Sequence, residues 1–268
     1  MKKIIALIMA IALTALCFVG CNKKNDAEEK QETIVVGYTI VEPLNYKDAD
    51  GNLVGFDTEL AQIVFGNLGY KVTFQEIDWS AKYTELNSYA IDCIWNGFTA
   101  NTSDDDGVAR ADKVDFSYNY MENRQVLVVK KGTTIESAAD LNGLTVAAEK
   151  GSAGDTYINA FEGIVFKGVT KQTDSLLEVK AGSADVAVVD AQLAKAYVGK
   201  GDYSDLETLS VLSSDVEYYA IGFRKDSDLT EKVNAELVKL AKDGTIAKLA
   251  EKYGVASTTI TDFSDQIK

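Results

Sequence analysis

Hydrophobic and polar positions along this chain fall into two successive series of alternating strands and helices. "TIVVGYTI" (33–40) is strand-like, and "GFDTELAQIVFGNLGY" (55–70) sets Leu60, Ile63, Val64 and Leu68 at helical spacing, with Gly69 placed to end the helix. "KVTFQEI" alternates as a strand, "SAKYTELNSY" reads as a helix and "AIDCIW" as a buried strand. A βαβαβ order of this kind predicts a mostly parallel sheet covered by helices. In the second series "RQVLVVKKG" is a strand, "TIESAADLNG" a short helix, and "LTVAAEKGS" a strand running into a loop. "AGDTYINAF" opens a helix, "DSLLEVKAGSADVAVVDAQLAKAYV" gives helix, turn, strand and helix, and "EYYAIGFRKDS" returns as a strand. Two helices, 229–242 and 246–253, close the chain on either side of Asp243-Gly244. No short-period repeat is visible, which excludes a solenoid and leaves two α/β lobes as the expected architecture.

The N-terminus is a separate object. Met1-Lys2-Lys3 precedes an apolar run from Ile4 to Val19, too short for a comfortable membrane span and flanked like a secretory signal peptide over residues 1–20. The run ends at Gly20-Cys21, which resembles a bacterial lipoprotein box, where a small residue precedes a cysteine that is diacylated and becomes the new N-terminus. Phe18 stands where such boxes usually have Leu, and an ordinary signal peptide with a coincidental cysteine is the alternative. "NKKNDAEEKQET" lacks large apolar residues and reads as a flexible tether, so residues 21–32 are expected to anchor the protein to a membrane without spanning it.

Of the 268 residues 46% are hydrophobic and 25% charged, which places the remainder among ordinary globular domains. The formal net charge is −14, and losing Lys2 and Lys3 with the leader makes it −16 (−14 − 2). With no concentrated basic patch, such a chain is not expected to bind nucleic acid. Histidine is absent, which excludes His-based catalysis and His metal sites. Apart from Cys21, the chain after the leader keeps only Cys93, so an internal disulfide in the core and a thiolate zinc cluster are excluded as well. Cys93, inside "IDCIW", reads as a small buried hydrophobe, and no cofactor or metal is expected.

A longer pattern is more specific. "GNLVGFDTELAQIV", "IDWSAKYTELNSYAIDCIWNGFT", Arg110 with "ADKVDFS", "DLNGLTVAAEKGSAGD", "AGSADVAVVD" and "LVKLAKDGTIAKLAEKYG" follow one another over roughly residues 33–255. Together they resemble the extracellular solute-binding proteins of family 3, extracytoplasmic receptors that pass polar amino acids to ABC importers. The resemblance implies an α/β fold with two Rossmann-like lobes joined by a two-strand hinge, the type II periplasmic-binding-protein arrangement, closing over a free amino acid. Lobe 1 is expected over 33–123 plus 219–268 and lobe 2 over 124–218, with crossings near 122–125 and 217–220. It implies a monomer that presents its ligand to an ABC permease, held at the bacterial membrane by lipidated Cys21 and lacking enzymatic activity. The alternative is an extracytoplasmic enzyme of the same fold, dehydratase-like and acting on a small carboxylate, for which Glu42, Glu149 or Lys150 would have to serve as acid or base.

The resemblance also assigns a pocket. Family members usually carry a G-x-[ST]-x-T-P-E-R segment before "VDFS" whose arginine grips the ligand α-carboxylate. Here "VDFS" is Val114–Ser117, the T-P-E is lost to a longer acidic insertion, and the arginine at the matching distance is Arg110, the sole arginine between residues 31 and 123. A guanidinium suits the task because its planar fork gives two parallel hydrogen bonds and stays charged when desolvated; a surface salt bridge is the alternative role for Arg110. Asp104–Asp106 with Gly107 cannot be an EF-hand loop, since Lys113 would stand where the bidentate glutamate belongs, so a solvated loop tip is expected. Asp190, at the end of "DVAVVD", is expected to receive the α-ammonium or else to cap the following helix. Ser152 and Ala153 open a helix whose free N–H groups suit an anion, though Ser152 would also serve as a plain cap. Asn96, Gly97 and Thr99 match positions that accept the ammonium protons, and Trp79 matches an aromatic that stacks on the ligand or else belongs to the core; Trp95 is read as core. For the ligand side chain, Val41 stands where an aromatic is usual, leaving Tyr38 and Glu42 as substitutes, Glu42 either to pair with a cationic side chain or to be solvated. Thr39 stands where basic-amino-acid receptors tend to have Asp, which counts against a basic ligand.

Overall fold

In a computed structural model the protein is described over residues 31–209 and 211–267; the leader and Cys21 lie outside the described residues. Two five-stranded sheets organise it. In the first, Lys71–Glu76, Thr33–Tyr38 and Cys93–Ile94 run parallel, followed by Gly222–Phe223, which is antiparallel to both its neighbours, and Asp115–Phe116. In the second, Val165–Val169, Thr145–Glu149 and Val186–Asp190 run parallel, followed by Gln125–Lys130, antiparallel to both neighbours, and Leu206–Thr208. The same order thus occurs twice. In each sheet the antiparallel fourth strand is the one that has just arrived from the other side of the molecule. Two short strands, Met121–Asn123 and Glu217–Tyr219, pair antiparallel as a ribbon and lead directly into those two fourth strands.

Helices cover the sheets where the apolar spacing places them. Phe56–Asn67 buries Leu60, Val64 and Phe65 completely, while Ile63 and Leu68 pack at its margin. The terminal helices Leu229–Lys242 and Thr245–Lys252 add Val233, Leu237 and Ile246 to the same core. Each such side chain contributes about 1.5–3 kcal/mol on leaving water. Trp95 is fully buried against Phe65 at 5.9 Å between ring centroids, as expected of a core residue, and Cys93 is buried and free. Among the described residues no helix is long and apolar enough to cross a membrane.

Two local readings of the sequence are corrected. "TIESAADLNG" forms only a single 3-10 turn, Ala138–Leu141, because the Ser137–Asp140 capping box closes a turn that nothing extends. "EYYAIGFRKDS" is not one strand: Glu217–Tyr219 belongs to the ribbon and Gly222–Phe223 to the first sheet, since the two halves pair with different partners.

Gly55, just before the first helix, has φ +130, and a Cβ there would lie 2.1 Å from the Leu44 carbonyl oxygen. Backbone cannot yield as a side chain would. Gly55→Ala is expected to cost about 3 kcal/mol and lower Tm by about 6–12 °C in a thermal melt.

Candidate ligand-binding site

One narrow cavity collects residues from both sheets. The first sheet's side supplies Thr39, Trp79, Asn96, Gly97, Thr99 and Arg110; the second's supplies Glu149, Ser152, Ala153, Gln172 and Asp190. Most of these stand at or just past the carboxyl end of a parallel strand: Thr39 follows Tyr38, Asn96 follows Ile94, and Glu149 and Asp190 are the last residues of theirs. In open α/β sheets this edge faces the ligand crevice, because strands end there and helices begin.

Arg110 is 1% exposed. Its Nε donates to Asp104 Oδ1 at 2.8 Å, while its two terminal nitrogens donate to the Thr99 and Gly151 carbonyls, each at the longer distance of 3.3 Å. The carboxylate thus fixes the guanidinium from its Nε edge and leaves the terminal fork in weak, exchangeable contacts. Asp104 is itself buried and accepts from Lys113 Nζ at 2.9 Å and the Tyr83 hydroxyl at 2.7 Å. Burial would raise its pKa, but Arg110, Lys113 and Tyr83 together hold it down at about 2. This corrects the reading of Asp104–Asp106 as a solvated tip. Asp105 and Asp106 are exposed, whereas Asp104 turns inward because a buried guanidinium needs a counter-charge.

Asp190 caps nothing with its side chain. Its oxygens accept from Asn123 Nδ2 at 2.8 Å, Gln125 Nε2 at 2.6 Å and Gln172 Nε2 at 2.6 Å, and its own N–H donates to Gln172 Oε1. Burial raises its pKa against these bonds. Glu217 of the ribbon accepts from the same Asn123 and Gln125 amides and from the Thr99 hydroxyl. Burial, then Asp190 beside it, lifts Glu217 to about 7.

The other expected residues divide. Asn96 donates to the Thr39 carbonyl and to Asn45, tying the ends of two strands together. Trp79 lines the cavity and also packs edge-on against Phe98 at 5.3 Å, so it is at once a wall of the cavity and part of the core. Ser152 lines the cavity while its hydroxyl caps the helix Ala153–Ile158 by accepting from Asp155 N–H at 3.1 Å. Tyr38 and Glu42 are not brought to the cavity. The Val41–Asn45 bridge draws Val41 and Leu44 into the core; Tyr38 packs edge-on against Phe74, and Glu42 lies beside Tyr197, whose hydroxyl burial and that carboxylate push up. Of the other lining residues, Thr39 was named only as a position that relatives fill with Asp and Glu149 only as an acid of the enzyme alternative, while Gln172 was missed. The strand-end rule that marked Asp190 applies equally to Glu149, which is 3% exposed and has its pKa raised by burial and then by Asp190.

Two lobes carrying opposed buried charges on the facing ends of their sheets define a type II periplasmic binding protein, a fold that clamps a small solute. The family model for bacterial extracellular solute-binding proteins, family 3, matches residues 34–256, and the chain belongs to that family. It is 30% identical to the arginine-binding extracellular protein ArtP of Bacillus subtilis, over 94% of this chain and 98% of that one. It is 27% identical to the L-cystine-binding protein TcyA of the same organism, over 94% and 97%. An ancestral arginine-binding protein solved with arginine superimposes with a TM-score of 0.76 at 33% identity, covering 83% of this chain and 98% of that one. The chain is therefore an extracytoplasmic solute-binding protein and not an enzyme, which sets aside the dehydratase alternative.

Behind Gly97 the wholly buried Asp57 accepts from the Gly97 N–H at 3.1 Å and the Tyr120 hydroxyl at 2.9 Å. Burial outweighs both bonds and lifts its pKa from 3.8 to about 7. Between these values the folded protein holds a proton that the unfolded chain has released, so this group's contribution to stability falls as pH rises through that window. Asp57→Asn, which cannot ionise, is expected to flatten the melting profile between pH 4 and 7, and the flattening should reach about 4 kcal/mol at most.

Proposed function

We propose that this protein is a lipid-anchored receptor that captures a polar α-amino acid between its lobes and delivers it to an ABC permease. The observation that carries the reading is the pair Arg110 and Asp190: opposite charges from different sheets, both buried, lining one cavity. A zwitterion fits this pair. Its carboxylate would take over the terminal nitrogens of Arg110 from the 3.3 Å carbonyl contacts, with the Ser152 and Ala153 backbone beside it. Its ammonium would add to the Asp190 carboxylate near Thr99, Asn96 and Gly97, and Trp79 would cover the side chain. That relatives are arginine- and cystine-binding proteins supports an amino-acid ligand.

Lobe 1 comprises 33–123 and 219–268 in this reading, lobe 2 comprises 124–218, and the ribbon Met121–Asn123 with Glu217–Tyr219 is the hinge. Closure is favoured by contacts made only when the lobes meet. The Gly151 carbonyl accepts from Lys82 Nζ at 3.0 Å as well as from Arg110, Thr156 donates to the Ser103 carbonyl at 3.3 Å, and Lys171 pairs with Glu76 at 2.7 Å. A ligand held by both lobes shifts the open–closed equilibrium by the contacts that the open form lacks. Residues 1–20 act as the signal peptide, Cys21 carries the lipid, and residues up to 32 are the tether of a monomer.

The test is a thermal-shift screen of the protein lacking residues 1–21 against the twenty amino acids, cystine, ornithine and citrulline, with titration calorimetry on each responder. Arg110→Ala and Asp190→Ala should each weaken binding by at least about thirtyfold, the cost of about 2 kcal/mol for truncating one partner of a buried charge pair. An unchanged melting temperature with every α-amino acid would sink the proposal.

A further inference from the structure

Three charged side chains line the cavity: Arg110, Asp190 and Glu149. On the amino-acid reading above, the ligand carboxylate engages the first and its ammonium the second. Glu149 is then left over. It ends the strand Thr145–Glu149, is 3% exposed, and among the described residues its carboxylate has neither a hydrogen-bond donor nor an ion-pair partner. Asp190, on the neighbouring strand, has three amide donors. A buried carboxylate without a donor is costly; an apolar ligand side chain would leave it so, and a neutral amide would supply a hydrogen bond but no counter-charge.

The charges around Glu149 do not neutralise it within the protein. Asp190, Asp78 and Asp174 are acids. The nearby cation is Lys82 of the opposite lobe, 2% exposed, whose ammonium donates to the Trp79 and Gly151 carbonyls and forms no ion pair within 4.0 Å among the described residues. Burial, then Arg110, lowers Lys82 to about 8; it draws the Glu149 pKa down, but burial and Asp190 outweigh it. Lys150, next in sequence, packs its stem over Gly168. Trp79 lines the same cavity, and the Lys82 ammonium lies over its ring at 5.1 Å from the centroid.

We infer that Glu149 receives a cationic ligand side chain, so that the substrate class is α-amino acids ending in a guanidinium or ammonium group. The acid that Thr39 fails to supply from the first strand is supplied from the facing lobe.

Titration calorimetry on the full chain in mild detergent tests this with arginine, lysine and citrulline, the last a neutral match to arginine in shape. Wild type should bind arginine or lysine at least about tenfold more tightly than citrulline. Glu149→Gln should lose at least about tenfold in affinity for the cationic ligand and leave citrulline within about threefold. The unliganded variant should melt at or above the wild-type temperature, since an unpaired buried carboxylate has been removed. Equal wild-type affinities for arginine and citrulline, or a preference that survives Glu149→Gln, would overturn the assignment while leaving the amino-acid receptor intact. Binding of no amino acid at all would count against the receptor itself, a separate outcome.

Discussion

On the proposed reading, a buried guanidinium has to be held without being used up, and most of the site is arranged around that requirement. Arg110 is enclosed on all sides, so it needs a carboxylate, yet a carboxylate gripping its terminal fork would leave nothing for a solute. Asp104 resolves the conflict by taking Nε. Lys113 and Tyr83 in turn satisfy Asp104, and the terminal nitrogens stay on carbonyl oxygens at the edge of hydrogen-bond distance. The acidic insertion around residues 104–106 is therefore part of the site's support.

The second lobe solves the mirror-image problem for Asp190. Its carboxylate is surrounded by the amides of Asn123, Gln125 and Gln172, neutral donors that satisfy lone pairs without cancelling the charge. Two of those amides also hold Glu217, and Asn123 and Glu217 sit in the ribbon between the sheets. The network thus couples the anionic end of the cavity to the segment about which the lobes would move. Arg110 and Lys82 reach from one side to the Gly151 carbonyl on the other, so the cationic end is coupled to closure as well.

Legibility in the sequence varied with range. The helix Phe56–Asn67 and the two terminal helices were readable because apolar spacing, Gly69 and Gly244 act within a few residues. Asp190, Ser152 and Ala153 could be placed at the cavity because strand ends and helix starts fix where a residue lies relative to the crevice, whereas Arg110, Asn96, Gly97, Thr99 and Trp79 were placed there by a family pattern. Glu42 was misplaced because the Val41–Asn45 bridge turns its loop so that it lies beside Tyr197, and Tyr38 because its place at the end of the first strand packs its ring against Phe74. The inward turn of Asp104 was invisible for a related reason: three consecutive aspartates look alike in sequence, and only the position of Arg110 in space distinguishes them.

What the sequence by itself determined is periodic or local: two α/β series, the helix boundaries, the absence of histidine chemistry, and which residues stand at strand ends. Tertiary structure alone decided which of those ends meet. It split "EYYAIGFRKDS" between ribbon and sheet, paired Arg110 with Asp104 and left Glu149 facing the cavity without a partner. The physical reason is that pairing of charges and strands depends on distances across the cavity and between sheets, set by groups far apart in the chain. Spacing along the sequence encodes only the face and the end on which each group lies.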